Sequence, residues 1–130
     1  MHKVLVIDGC VPSSKRIASA LTESGFEVIV ASSESEGLRW SDEASPDAIV
    51  VRDNPSHLDG FKLCQPLRRI FNLPLLLLGD KTEAEVYPPT FKAPADWDYY
   101  MPLPINCEEL AARIKVLLWR YGRASKPGVK

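Results

Sequence analysis

Charged side chains gather where three short apolar runs end. Asp8 follows Val4 to Ile7, Arg52 and Asp53 follow Ala48 to Val51, and Gly79 and Asp80 follow Leu75 to Leu78. Several familiar chemistries are missing around them. The nearest approach to a phosphate cradle, Asp8-Gly9-Cys10-Val11-Pro12, has one glycine and no lysine, which argues against a P-loop or a dinucleotide site. The only histidines are His2 and His57, so no Ser-His-Asp or Cys-His arrangement can be read. Cys10, Cys64 and Cys107 are odd in number and widely spaced. They suggest reduced thiols in a cytoplasmic protein, neither a disulfide framework nor a zinc site.

The elements that must position these groups follow from the hydrophobic pattern. Val4 to Ile7 reads as a strand, and Pro12 opens the helix after it, where a missing N–H costs nothing. Ile17 and Leu21 give that helix its buried side, and Gly25 is its stop. Phe26 to Val30 is a second strand. Ser33 with Glu36 forms a capping box for a helix to about Glu43. Ala48 to Val51 lacks polar alternation, as a parallel strand covered on both faces would. Asp59-Gly60 starts a third helix carrying Phe61, Leu63, Leu67 and Ile70 inward, with a kink or late start expected at Pro66. Leu75 to Leu78 is a fourth strand, and Tyr99 to Pro104 surrounds a fifth. Asn106 caps the last helix with Glu109 in the box position. Its stripe is Leu110, Ile114, Leu117, Leu118 and Tyr121. Five β-α alternations imply a flavodoxin-like (βα)5 domain over 1–121: a three-layer α/β fold with a five-stranded parallel sheet in order 2-1-3-4-5. Residues 122–130 read as a flexible basic tail.

Five stretches resemble the receiver domain of bacterial two-component response regulators: Lys-Val-Leu-Val-Ile-Asp at 3–8, Ser-Gly-Phe-Glu-Val at 24–28, Pro-Asp-Ala-Ile-Val-Val at 46–51, Leu-Asp-Gly-Phe-Lys-Leu-Cys at 58–64 and Pro-Ile-Asn-Cys-Glu-Glu-Leu at 104–110. The resemblance covers residues 3 to about 121. It implies a phosphorelay role in which a histidine kinase phosphorylates an Asp at the end of the third strand. Acidic residues after the first strand would help to hold Mg²⁺. A Thr or Ser and a Lys, after the fourth and fifth strands, would meet the phosphoryl oxygens.

Carried over residue by residue, that chemistry is largely lost. Asp8 keeps the first acidic position, but the second is Gly9, the phosphoacceptor position is Arg52, the hydroxyl position is Gly79 and the Lys position is Leu103. The resemblance therefore implies a degenerate pseudo-receiver with no catalytic residues, no enzyme activity, no cofactor, and Mg²⁺ binding weak or lost. Arg52 is expected to pair with Asp8 and act as its counter-ion. Asp53 lies one residue late, and such a slip turns a side chain to the other face of the sheet. Tyr100 is expected to be fixed in an interaction face with Trp97 and Trp119, Trp119 being the best candidate for an exposed contact.

Sixteen Lys and Arg balance seventeen Asp and Glu, giving a net charge of −1, which argues against nucleic acid as a partner. The apolar runs are too short to span a membrane. The partner expected is a protein of a signalling pathway, or a second copy in a homodimer. Five of the eleven prolines fall between residues 88 and 104, so the fourth helix should be short, one or two turns within 82–87. Two other readings stay open at this point: a phosphorylatable receiver using Asp53, and a small-molecule-binding domain using a crevice beside Gly9, Gly79 and Leu103.

Overall fold

A computed structural model describes residues 1–91 and 94–125. Its elements alternate as β1 (Lys3–Ile7), α1 (Val11–Glu23), β2 (Glu27–Ala31), α2 (Glu34–Glu43), β3 (Ala48–Arg52), α3 (Gly60–Ile70), β4 (Leu75–Gly79), α4 (Glu83–Val86), β5 (Tyr99–Pro102) and α5 (Cys107–Arg120). The strands form one parallel sheet in the order β2-β1-β3-β4-β5. This is the flavodoxin-like arrangement that the β-α alternation predicts.

Strand parity sorts the core into two layers. Val4 and Val6 of β1, with Val50 of β3, meet Ile17 and Leu21 of α1 and Leu110, Ile114 and Leu118 of α5. Leu5, Ile7, Ile49 and Val51 face the opposite way, against Leu63 and Leu67 of α3 and Val86 of α4. Both faces of β1, β3 and β4 are therefore buried, which is why their sequences are unbroken apolar runs. The same parity decides the site. Arg52 continues the Val50 side, toward α1 and α5, and Asp53 continues the Val51 side, toward α3.

Local signals set the helix ends. Ser33, Asp59 and Asn106 each accept a backbone N–H three residues on, from Glu36, Lys62 and Glu109. The reciprocal half of the box differs from expectation at two of them. The Glu36 carboxylate takes the Ser32 hydroxyl, and that of Glu109 takes the Tyr99 hydroxyl. The complete capping box belongs to Thr82 and Glu85, at the start of the single turn of α4. Gly25 adopts φ +96°, the left-handed conformation that lets the chain leave α1 and enter β2.

Three expectations need correcting. The third helix begins at Gly60 and runs through Pro66 with no late start. The carbonyl that loses its donor there belongs to exposed Lys62, where water can serve it. Ile70 is 64% exposed because it is the last residue of α3, at the rim of the core, and Leu73 is buried beyond it. Tyr121 is half-buried and donates its hydroxyl to Asp98 at 2.9 Å. The packed body also continues past the expected boundary at Tyr121. Arg123 pairs with Asp47 at 3.1 Å, His2 bonds the Arg123 carbonyl and Ala124 packs against the core. Of the expected tail, residues 126–130 lie outside the described residues.

Candidate functional site

The C-terminal ends of β1, β3, β4 and β5 bring Asp8, Arg52, Gly79 and Leu103 to one edge of the sheet. Arg52 pairs in register with Leu78, and Gly79 with Pro102. The Asp8 side chain is fully buried. Its Oδ1 accepts the Cys10 N–H at 2.9 Å, holding the chain as it turns into α1. The same Oδ1 lies 3.8 Å from Arg52 Nη1. Opposite charges attract at that distance, yet it is too long for a hydrogen bond. Asp8 Oδ2, Arg52 Nε and Arg52 Nη1 are all buried without a hydrogen-bond partner among the described residues. The two charges thus compensate each other while these three atoms stay unmet.

This donor set does not suit Mg²⁺. A magnesium ion asks for several oxygen ligands in an octahedron. Here a guanidinium stands beside the buried Asp8 carboxylate, Gly9 brings no side chain, and His57 Cβ would lie 3.2 Å from a Cβ at Gly9. Asp53 is turned away. Its Oδ1 accepts the Gly60 N–H at 2.8 Å, tying β3 to the start of α3. Burial dominates its acidity and raises the carboxyl above the ordinary value of 3.8. The Gly60 N–H and Lys81 oppose that shift, and Asp59 and Asp80 add to it.

Gly79 and Tyr100 fit together. The Tyr100 hydroxyl donates to the Lys81 carbonyl at 2.6 Å and would lie only 2.9 Å from a Cβ at position 79. The phenol thus occupies the space that a hydroxyl-bearing side chain at 79 would need. Burial pushes the Tyr100 phenol up to about 12. Tyr100 was expected in an interaction face, but at 2% exposure it lies under the surface and offers a partner no contact. Leu103 donates its N–H to the Gly79 carbonyl at 2.8 Å, precedes a cis peptide to Pro104, and packs against the α1–α5 core.

The segment after α4 carries a cluster that no spacing in the sequence singled out. Trp97 is half-buried, donates Nε1–H to the Tyr87 hydroxyl at 2.6 Å and meets the Phe61 ring edge-on at 5.3 Å. Tyr87 in turn meets Phe91 at 5.5 Å, and Phe61 lies 6.0 Å from Tyr100. Tyr87 and Phe91 are each 39% exposed. Aromatic rings here replace the greater part of a helix. The only available signal was the recurrence of aromatic residues through a proline-rich stretch. Trp119 is also 39% exposed, on α5, apart from this cluster. The Cys64 thiol is buried, which pushes it up to about 12 and leaves it inert.

A parallel sheet in the order β2-β1-β3-β4-β5 with helices on both faces defines the flavodoxin-like class of α/β domain. Comparison with known proteins gives the family. The chain is 36% identical over 121 residues to the transcriptional regulatory protein PrrA of Mycobacterium tuberculosis, covering 92% of this chain and 51% of that protein. It is 32% identical over 119 residues to the alkaline phosphatase synthesis transcriptional regulatory protein PhoP of Bacillus subtilis, covering 91% and 49%. Among solved structures, the receiver domain of a Francisella response regulator matches with TM-score 0.78 and 28% identity over 92% of this chain and 98% of that one. A receiver domain from Clostridium thermocellum shares the fold at TM-score 0.80, with 23% identity over 94% and 98%. No family model matches. The chain is a response regulator receiver domain, and it spans about half the length of the curated relatives it matches. No helix among the described residues is long and apolar enough to cross a membrane.

Proposed function

We propose that this receiver domain is of the degenerate type and works without aspartyl phosphorylation, as a cytoplasmic protein-interaction module of bacterial two-component signalling. One observation carries the reading: at the end of β3, where the family's phosphoacceptor stands, the Arg52 guanidinium lies 3.8 Å from the buried Asp8 carboxylate. An arginine cannot form an acyl phosphate, and its positive charge stands in for the metal as the counter-ion of Asp8. Asp53 is a poor substitute, because it faces α3 and its carboxylate is already engaged by Gly60. Gly79 and Leu103 would give a phosphoryl group no side-chain donor. On this reading the domain is not an enzyme, binds Mg²⁺ weakly or not at all, and its partner is a signalling protein or a second copy of the chain. Trp97 and the exposed Trp119 are the proposed contacts, on separate parts of the surface, and Tyr100 lies beneath the Phe61–Trp97 part.

The test is incubation with acetyl phosphate and Mg²⁺ followed by intact-mass measurement. No phosphoryl adduct is expected. An adduct that forms on the native chain and disappears in Asp53→Ala would overturn the proposal.

A further inference from the structure

We propose that the cavity between the first turn of α1 and the connection from β5 to α5 binds a small organic acid, with its carboxylate on Arg52 and its apolar body against Ile17, Leu103 and Ile105. The inference shares the Arg52 geometry with the proposed function but does not depend on protein contact as the output. The cavity is open on one side and measures about 460 Å³, within the range of small-molecule sites. It adjoins the crevice expected beside Gly9, Gly79 and Leu103, since Cys10 and Asp80, the neighbours of the two glycines, also line it. Leu103 alone of the three lines the cavity, joined by Arg16, Ile17, Arg52 and Ile105.

Arg52 carries the argument. Its side chain is 18% exposed and lines the cavity with Arg16. Nε and Nη1 are packed inside, closed to the cavity as well as to water, and Nη2 is the guanidinium nitrogen left open. A carboxylate oxygen on Nη2 gives that charged donor an acceptor beside a second guanidinium. The α1 terminus adds to the field, because Cys10 makes no side-chain cap and the first turn holds no acidic residue. Charge then limits the class of ligand. Arg52 and Arg16 are offset by Asp8 beneath and by exposed Asp80 on the rim. A polyphosphate would meet Asp80 with surplus negative charge, whereas one carboxylate with an apolar body matches both halves of the lining.

The test is a titration of the isotope-labelled chain with benzoate, followed by amide and Arg Nε–H resonances. Saturable shifts are expected at Ile17, Arg52, Leu103 and Ile105. Arg52→Gln should weaken binding at least tenfold. Arg16→Gln, at an exposed position that leaves the fold intact, should weaken it a few-fold. Any of these results would overturn the proposal: no saturable shift, shifts scattered beyond the cavity, equal binding of neutral benzamide, or shifts with inorganic phosphate alone. Equal affinity in both arginine variants would do the same. Phosphorylation by acetyl phosphate would sink the proposed function without bearing on this titration, so the two fail separately.

Discussion

Restoring a hydroxyl at position 79 ought to injure this protein. In Gly79→Thr the new Cβ would sit 2.9 Å from the Tyr100 hydroxyl, which is itself held by the Lys81 carbonyl. Forcing the ring aside should cost about 1–3 kcal/mol. A lowered urea midpoint with altered Tyr100 ring resonances would show this, and an unchanged midpoint would count against the fit. The identities at this edge were readable from the chain because parity and proline spacing place Arg52, Gly79 and Leu103 unambiguously. The direction of the Tyr100 ring was not. It depends on space at residue 79 and on a carbonyl at residue 81, and those meet only after β4 and β5 pair. The unmet groups of Asp8 and Arg52 were equally hidden, since the charge pair was foreseeable but its 3.8 Å separation was not.

The caps and apolar runs of β1 to β4, α1 to α3 and α5 speak through local residues, so their placement was legible in the chain. The stretch from α4 to β5 was legible only as an interruption. Prolines show where a helix cannot continue, but not what replaces it. Here the replacement is the ring cluster of Phe61, Tyr87, Phe91 and Trp97, built from residues on three separate segments. Trp97→Ala removes its middle member and the hydrogen bond to Tyr87. A fully buried tryptophan costs about 3–5 kcal/mol on truncation, so half-buried Trp97 should cost roughly 1–3. Limited proteolysis should then cut first between residues 82 and 91. Unchanged stability together with unchanged cleavage would mean that the cluster does not hold this segment. Arg68 was overlooked for a similar reason. It lies on α3, yet it reaches Asp98 at 2.7 Å and the Tyr121 hydroxyl at 2.8 Å, joining α3 to β5 and the end of α5.

For the molecule as a whole, the buried carboxyl of Asp53 leaves a mark on stability against pH. Its acidity is weakened on folding, chiefly by burial. The folded chain therefore holds that proton more tightly than the unfolded chain, and the stability it contributes falls as pH rises from 3.8 through the raised value. Asp53→Asn keeps an acceptor for the Gly60 N–H and removes the titration. Denaturation midpoints between pH 4 and pH 7 should show the native chain losing ground to Asp53→Asn as pH rises. The opposite slope would contradict the burial argument. The β-α alternation was sufficient to read the sheet order and the two-layer core. It did not reveal that residues just past Tyr121 rejoin the body, because that contact links positions more than seventy residues apart.

His2 meets the carbonyl of Arg123, and Arg123 meets Asp47, all where the strands begin. Asp8, Arg52 and Gly79 stand where the strands finish. Residues 2, 47 and 123 thus meet at one pole of the sheet, and the charged pair stands at the other. Anything grafted near residue 2 or residue 123 would sit a full strand length from the charged pair.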